Sequence, residues 1–284
     1  MTNAYTDPRR GVATAQNERV LSQKRRHRDR HFDARPVPDA GLKDLRVGQF
    51  LDEYLPATVD AETLAANDRT TEERLAAAKT IASADDPVPT VAGILALGRH
   101  PQDHLPGADA QFLRLGGTES GDEVLDEARC TGPITDQIRR LDDKLVAHNR
   151  TSVDFKSDDR ETRISTYSLL ALQQLVRNAI MHRTYEGTNA PVHVYWFDDR
   201  VEITNPGGPF GDVNSDNFGQ PGVVGYRNPN LAEAMRVLGL VQRYGFGIPA
   251  ARRSLRKNGQ APPEFGVEAN RVHCTVWARR RSKR

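Results

Sequence analysis

The sequence predicts an α+β protein, and three stretches predict it. Residues 168–182 carry Leu172, Leu175, Val176, Ala179 and Ile180 at helical spacing. PVHVYWF and RVEIT flank the two-residue turn Asp198-Asp199 and are rich in the aromatic and β-branched residues that suit a hairpin. VHCTVWA, near the end, reads as a closing strand. The expected architecture is a mixed sheet built from the Val192 to Thr204 hairpin and strands near Gln111 and Val272. Helices including Ser168 to His182 cover one face, and the other is open or paired with a partner.

The elements follow in order. Residues 1–45 are polar, basic and broken by the turn cluster PVPDAG, which suggests a helix around Ala13 to Arg30 and then an extended linker. VGQFLDEYL begins a helical pattern at Val47. Thr70-Thr71-Glu72-Glu73 ahead of an apolar run has the form of a capped second helix, because a threonine and a glutamate three residues later can bond each other's backbone N–H. PVPTVAGILALGRHP sets an apolar run between proline-rich turns, and AQFLRLGG has the shape of a strand ended by paired glycines. ITDQIRRLDDKLVAHN predicts a helix with Ile134, Ile138, Leu141, Leu145 and Val146 on one side. After the hairpin, Pro206 to Asn230 contains six glycines and four asparagines. That is long for a bare connection and points to a lid or binding loop. LAEAMRVLGLV returns to a helical period, and RYGFGIPAARRSLRKNG opens another helix behind Gly245 and Gly247.

Composition bounds the function. The 284 residues, 37% of them hydrophobic, suffice for one large domain or two modest ones. No run of about 18 apolar residues suggests a membrane span, and MTNAYTDPRRG lacks the pattern of a secretory signal, so the expected location is cytoplasmic. Cys130 and Cys274 are the two cysteines. Both read as buried thiols, and they exclude a disulfide framework or a cysteine-rich metal site. The net charge of +2 announces no nucleic-acid binder, yet basic residues cluster at Lys24 to Arg30 and again at Arg279 to Arg284. Solubility and phosphate-backbone contact both remain open for these ends. The eight histidines are scattered, and no G-x-x-x-x-G-K-[ST] loop is present to drive a motor.

Gln174, Asn178 and His182 follow at four-residue steps on one side of the helix, a pattern equally at home on a solvated face or in a site. Downstream, Asn205-Pro206-Gly207-Gly208 directly follows a strand. Gly245-Phe246-Gly247-Ile248 stands at a helix start, where free N–H groups and the helix dipole favour an anion. Each glycine pair also reads as a tight turn or a cap.

Together ALQQLVRNAIMHRTYEG, VHVYWFDDRVEITNPGG and YRNPNLAEAMRVLGLVQRYGFGI resemble the C-terminal ATPase-type domain of a family of bacterial transcriptional regulators often labelled helicase-like. That domain is similar to the GHKL (Bergerat-fold, HATPase-type) ATPases and usually follows a Schlafen/AlbA-like domain associated with nucleic-acid contact. HFDARPVPDAGLKDL, the stretch from Pro89 to Gly117 and GPITDQI also resemble the family, so the likeness runs from about Tyr5 onward. Residues 5–30 resemble only the end of the AlbA-like domain. The implied organisation is a basic arm over 1–45, a helical linking region with a strand over 46–155, a GHKL-like α/β sandwich over 156–280, and a basic tail over 281–284.

The resemblance implies a role for each matching residue. Asn178 would supply the side-chain oxygen on the Mg²⁺ that bridges nucleotide phosphates, a neutral ligand suited to a hard cation. His182 and Arg183 complete the family's NAxxHR pattern. Asn205 stands where GHKL enzymes commonly use an aspartate toward adenine, with Gly207 and Gly208 letting backbone approach the base, and an amide oxygen can still accept. Gly245 and Gly247 match the second glycine box, which serves the phosphates. Two departures stand out. Gln174 occupies the position of the glutamate that activates water, and an amide cannot act as a general base. Thr184 stands where the pattern usually has an aspartate. The expected function is therefore an ATP- or ADP-binding regulatory module with Mg²⁺, an ATPase of GHKL type if active, with weak or no hydrolysis. Expected partners are nucleotide, DNA through the basic ends or a partner protein, and a second copy as a homodimer. A degenerate interaction protein and a direct DNA- or RNA-binding protein are the alternatives.

Overall fold

Apolar alternation along the strands and a 3.6-residue apolar period along the helices leave each with one face to hide, and the chain hides them against each other. The computed structural model describes residues 31–154, 162–241 and 246–279. The predicted helix at Ala13 to Arg30, both basic clusters apart from Arg279, and Gly245 lie outside the described residues.

The helices are α1 (Val47–Gln49), which runs directly into a π-helical turn at Phe50–Tyr54, α2 (Ala61–Ala65), α3 (Thr71–Ala77), α4 (Val91–Leu97), α5 (Pro101–His104), α6 (Ile134–His148), α7 (Leu169–His182), α8 (Pro229–Val237) and α9 (Gly247–Lys257). The strands are β1 (Ala110–Leu115), β2 (Val124–Cys130), β3 (Thr151–Asp154), β4 (Thr162–Ser165), β5 (Val192–Trp196), β6 (Arg200–Pro206), β7 (Glu264–Val267) and β8 (Arg271–Trp277). Six strands form one mixed sheet in the order β2-β1-β5-β6-β8-β7, and β3 pairs with β4 alone. The β1–β5 pair is parallel and the other pairs are antiparallel. The fold is thus α+β, as expected, with the hairpin, the strand at Gln111 and the strand at Val272 in one sheet.

Phe112, Val194, Val201, Ile203 and Val276 project from the sheet into a core shared with α6, α7 and α9. The opposite face carries Gln111, His193, Tyr195, Glu202 and Thr204, all partly exposed. A second core gathers Leu45, Phe50, Leu75, Ile81 and Leu97. Two helices seal both cores. Every residue of α4 is buried, with Leu95 in the first core and Ile94 in the second, and α8 divides Leu231 and Met235 from Ala234 and Val237 in the same way. This explains why the run at α4 shows no amphipathic period: it has no solvent side. At its start Thr90 accepts from the Gly93 N–H at 3.0 Å, and a Cβ on Gly93 would lie 1.9 Å from the Thr80 carbonyl oxygen, so only glycine allows the approach.

Other expectations meet specific outcomes. The Thr70–Glu73 capping box is present, with both reciprocal bonds made. Ile134, Ile138, Leu141 and Leu145 are buried on α6, but Val146 is 56% exposed, because α6 narrows its apolar stripe to the four residues that meet the sheet and α7. Strands β2 and β7 escaped the sequence pattern, since as sheet edges they lack a buried alternation. Cys130 and Cys274 are free and buried, and burial pushes the Cys130 thiol up to about 11.

Asp33 is fully buried. Its carboxylate accepts from the backbone N–H groups of Asn230 at 2.7 Å and Leu231 at 2.9 Å, capping α8 from about two hundred residues upstream. Asp33→Ala is expected to lower stability by about 2 kcal/mol in urea unfolding, the upper end for a lost cap, because two buried donors are left unpaired.

Candidate functional site

Helix α7 begins at Ser168, whose hydroxyl accepts from the Ala171 N–H and contacts the Ser254 hydroxyl of α9 at 2.6 Å, while the Ser168 N–H donates to Gln260. These bonds set α7 antiparallel to α9 and bring the first turn of α9 over the middle of α7. With Leu172, Leu175, Val176, Ala179 and Ile180 in the core, the opposite stripe meets α9 and the glycine-rich loop. Gln174 is buried, and Asn178 and His182 are partly buried, so the stripe is not a solvated face. A Cβ on Gly247 would lie 3.8 Å from Gln174 Oε1 and 3.9 Å from Asn178 Nδ2. Gly247 therefore holds the N-terminal end of α9, with its free N–H groups, against the two amides.

Asn178, His182, Asn205 and Gly208 line one cavity of about 80 Å³ with Ile248 and Pro249 from α9. The loop after Gly208 forms its cover, contributing Phe210, Val213, Phe218, Gly219, Val223 and Val224. Two arginines hold the cover down. Arg252 of α9 donates to the Gly219 carbonyl at 2.9 Å. Arg227 donates to the carbonyls of Gly208 at 3.1 Å and Pro209 at 3.4 Å and lies over the Phe210 ring. Arg227 Nε is buried without a hydrogen-bond partner among the described residues. At the end of the cover, the Asn228 amide donates to the Met181 and Arg183 carbonyls, closing the last turn of α7.

The His182 ring stacks on Tyr226, with centroids 5.6 Å apart. Burial pulls its imidazole down from 6.5 to about 4, against the opposing effect of the Gly225 backbone, while the charge of Arg227 pulls in the same direction as burial. His182 is therefore neutral near pH 7 and able to accept or donate a hydrogen bond in the cavity.

Three predicted site residues prove to have structural work. Arg183 is 1% exposed and donates to the carbonyls of Gly107 at 2.6 Å, Ala190 at 2.8 Å and its neighbour Thr184 at 3.1 Å, with its guanidinium over the Tyr185 ring. It ties the end of α7 to the entries of β1 and β5 and does not line the cavity. Gly207 has φ +92°, and a Cβ there would lie 2.9 Å from the Thr184 nitrogen, which itself donates to the Pro206 carbonyl at 2.8 Å. Gly208 does border the cavity, but a Cβ on it would meet the Glu268 carbonyl oxygen at 2.3 Å. Both glycines are demanded by neighbouring backbone. Asn205, at the end of β6, is 6% exposed and is among the residues that line the cavity. Arg252 and Arg227 went unnoticed in the sequence. Arg252 could have been found as the residue four after Ile248, on the same face of α9.

Comparison with known proteins adds a class to this geometry. Residues 189–276 match a family model of the HATPase type described as "Putative ATP-dependent DNA helicase recG C-terminal". The matched region is thus similar to an ATPase-type domain, and the match begins downstream of α7 and its amide stripe. The crystal structure of the DIP2311 protein from Corynebacterium diphtheriae superposes with a TM-score of 0.66 at 22% identity, a likeness of fold that covers 90% of this chain and 50% of that one. The chain spans half the length of that protein. No curated protein matches the chain in sequence. Among the described residues no group of histidine, cysteine, aspartate or glutamate side chains is arranged to hold a metal ion, and no helix is long and apolar enough to cross a membrane.

Two measurements check this account. Gly208→Ala is expected to cost about 2–3 kcal/mol of stability, since backbone must move, whereas Gly247→Ala meets ordinary van der Waals contact and should change stability by less than about 1 kcal/mol. With its pKa depressed in the folded chain, His182 takes up its proton first in the unfolded chain as pH falls, which draws stability from the fold. Its contribution is complete above about 6.5 and is lost as pH falls toward about 4, up to roughly 3 kcal/mol. Urea titrations across that range should therefore show a shallower acid-side decline for His182→Gln than for the parent.

Proposed function

We propose that the chain is a nucleotide-binding regulatory module that takes ATP or ADP with Mg²⁺ and turns it over slowly or not at all. The observation that carries this reading is the meeting of Gln174 and Asn178 with the N-terminal end of α9 at Gly247, beside a cavity roofed by the glycine-rich loop. The donors present fit a phosphate-bound cation. Asn178 offers one neutral oxygen, and a magnesium ion held mainly by phosphate oxygens and water needs few protein ligands. When bound, the ion would neutralise phosphate charge. The α9 N–H groups would take phosphate oxygens, and the apolar side chains around Asn205 would take the base.

Gln174 supports slow turnover, because its carboxamide sits buried at the junction and cannot take a proton from water. The cover supports a switch. With the loop folded in, about 80 Å³ is too small for a nucleotide, so binding must lift the loop and break the Arg252 and Arg227 contacts with its carbonyls. The lifted loop would then present a changed surface to a partner protein or to DNA, in the manner of a transcriptional regulator. The same small volume favours a second reading, in which the loop is permanently closed and the fold serves assembly alone.

Thermal unfolding with and without Mg²⁺-ATP and Mg²⁺-ADP separates the two. At a ligand concentration near 100 times Kd, the parent should gain about 2.7 kcal/mol. Asn178→Ala and Gly247→Ala should lose that gain while keeping the parent's unliganded midpoint. The absence of any shift in the parent leaves the assembly reading. Phosphate release should be near background in the parent and rise in Gln174→Glu, and robust release by the unmodified chain would overturn the slow-turnover part.

A further inference from the structure

The two edges of the main sheet differ. Strand β7 is four residues long and follows Pro262-Pro263, a short and proline-guarded edge of the kind that discourages pairing. Strand β2 is seven residues long, contains neither proline nor lysine, and has no strand on its outer side among the described residues. Its pairing with β1 is regular from Asp126 to Cys130 and shifts only at Leu125. Leu125 and Val124, beside that shift, are 54% and 50% exposed.

The charges along this run are self-complementary. Asp126 is held on the helix side by Lys144 and His148, each at 2.7 Å, so Glu127 and Arg129 project to the other face of the sheet. Glu127 has no partner among the described residues. Arg129 holds the buried Asp109 through Nε at 2.6 Å, yet its side chain is 62% exposed, and a guanidinium has further donors along its outer edge. A second copy laid antiparallel against β2 must keep the pleat continuous, so opposed residues share a face and the two-fold axis passes through a residue. An axis at Glu127 sets glutamate against glutamate, and one at Arg129 sets arginine against arginine. An axis at Ala128 sets Glu127 against the partner's Arg129 twice.

The geometry points to a homodimer formed by antiparallel pairing of β2 with β2 about Ala128, joining two six-stranded sheets into one. The partner is a second copy of this chain, and the interface is independent of the nucleotide cavity.

Sedimentation equilibrium of the full chain tests it together with two variants. The parent should form a dimer, and Glu127→Arg, at an exposed position with no internal partner, should raise the dimer dissociation constant at least about ten-fold by setting like charges opposite each other twice. Ala128→Cys should cross-link into a disulfide dimer under mild oxidation, because residues paired across an antiparallel axis lie within disulfide reach. The parent, whose two thiols are buried, should not. A parent that stays monomeric, a dimer indifferent to Glu127→Arg, or an Ala128→Cys chain that fails to cross-link would each overturn the proposal.

Discussion

Everything around the cavity depends on the packing of one helix between two layers. Helix α7 lies with its aliphatic side on the sheet and its amide side under α9, so the amide stripe is largely withdrawn from water. The aliphatic side supplies most of the stabilisation, since each fully buried leucine or isoleucine contributes about 1.5–3 kcal/mol by area removed from water. That burial holds the polar stripe in place. Gln174 and Asn178 can be kept close to the start of α9 because the residues between them are anchored in a close-packed core.

The ends of α7 are secured differently from its middle. At the start, Ser168 exchanges hydrogen bonds with Ser254 and Gln260, which sets the height of α9 against α7. At the end, Arg183 and Asn228 take up carbonyls that would otherwise be orphaned: Arg183 in the loops ahead of β1 and β5, Asn228 in the last turn of α7. A fully buried guanidinium is costly unless its donors are met, and Arg183 meets them with backbone oxygens and an aromatic face. The charge is thereby committed to architecture. The two arginines near the cavity instead donate to carbonyls of the loop that covers it, and Arg227 also lies over the Phe210 ring.

The glycines show how one residue type answers several constraints. Gly93, Gly207 and Gly208 are glycine because protein backbone passes where a Cβ would be, at 1.9, 2.9 and 2.3 Å. Gly247 is under no such pressure, with its nearest neighbours at 3.8 and 3.9 Å, and those neighbours are the two side-chain amides of the stripe. Clearance beside polar groups at a helix start sets Gly247 apart from the glycines that neighbouring backbone demands.

How much of this was legible in the chain depended on whether the signal was local. The periodicity of α6 and α7, the β5–β6 hairpin, the Thr70 capping box and the closing strand β8 arise from neighbours in sequence, and the sequence by itself determined them. It also determined the loop, since glycines in that number cannot build a helix or strand. Only the tertiary structure decided which side of α7 would be covered, that Arg183 would turn to the backbone rather than to the cavity, that Val146 would stay in water, and that β2 would become an edge. Those outcomes require elements far apart in sequence to be brought together, as Asp33 is to α8. The energies involved come from removing water and pairing buried groups, quantities that belong to the packed molecule and to no single segment of it.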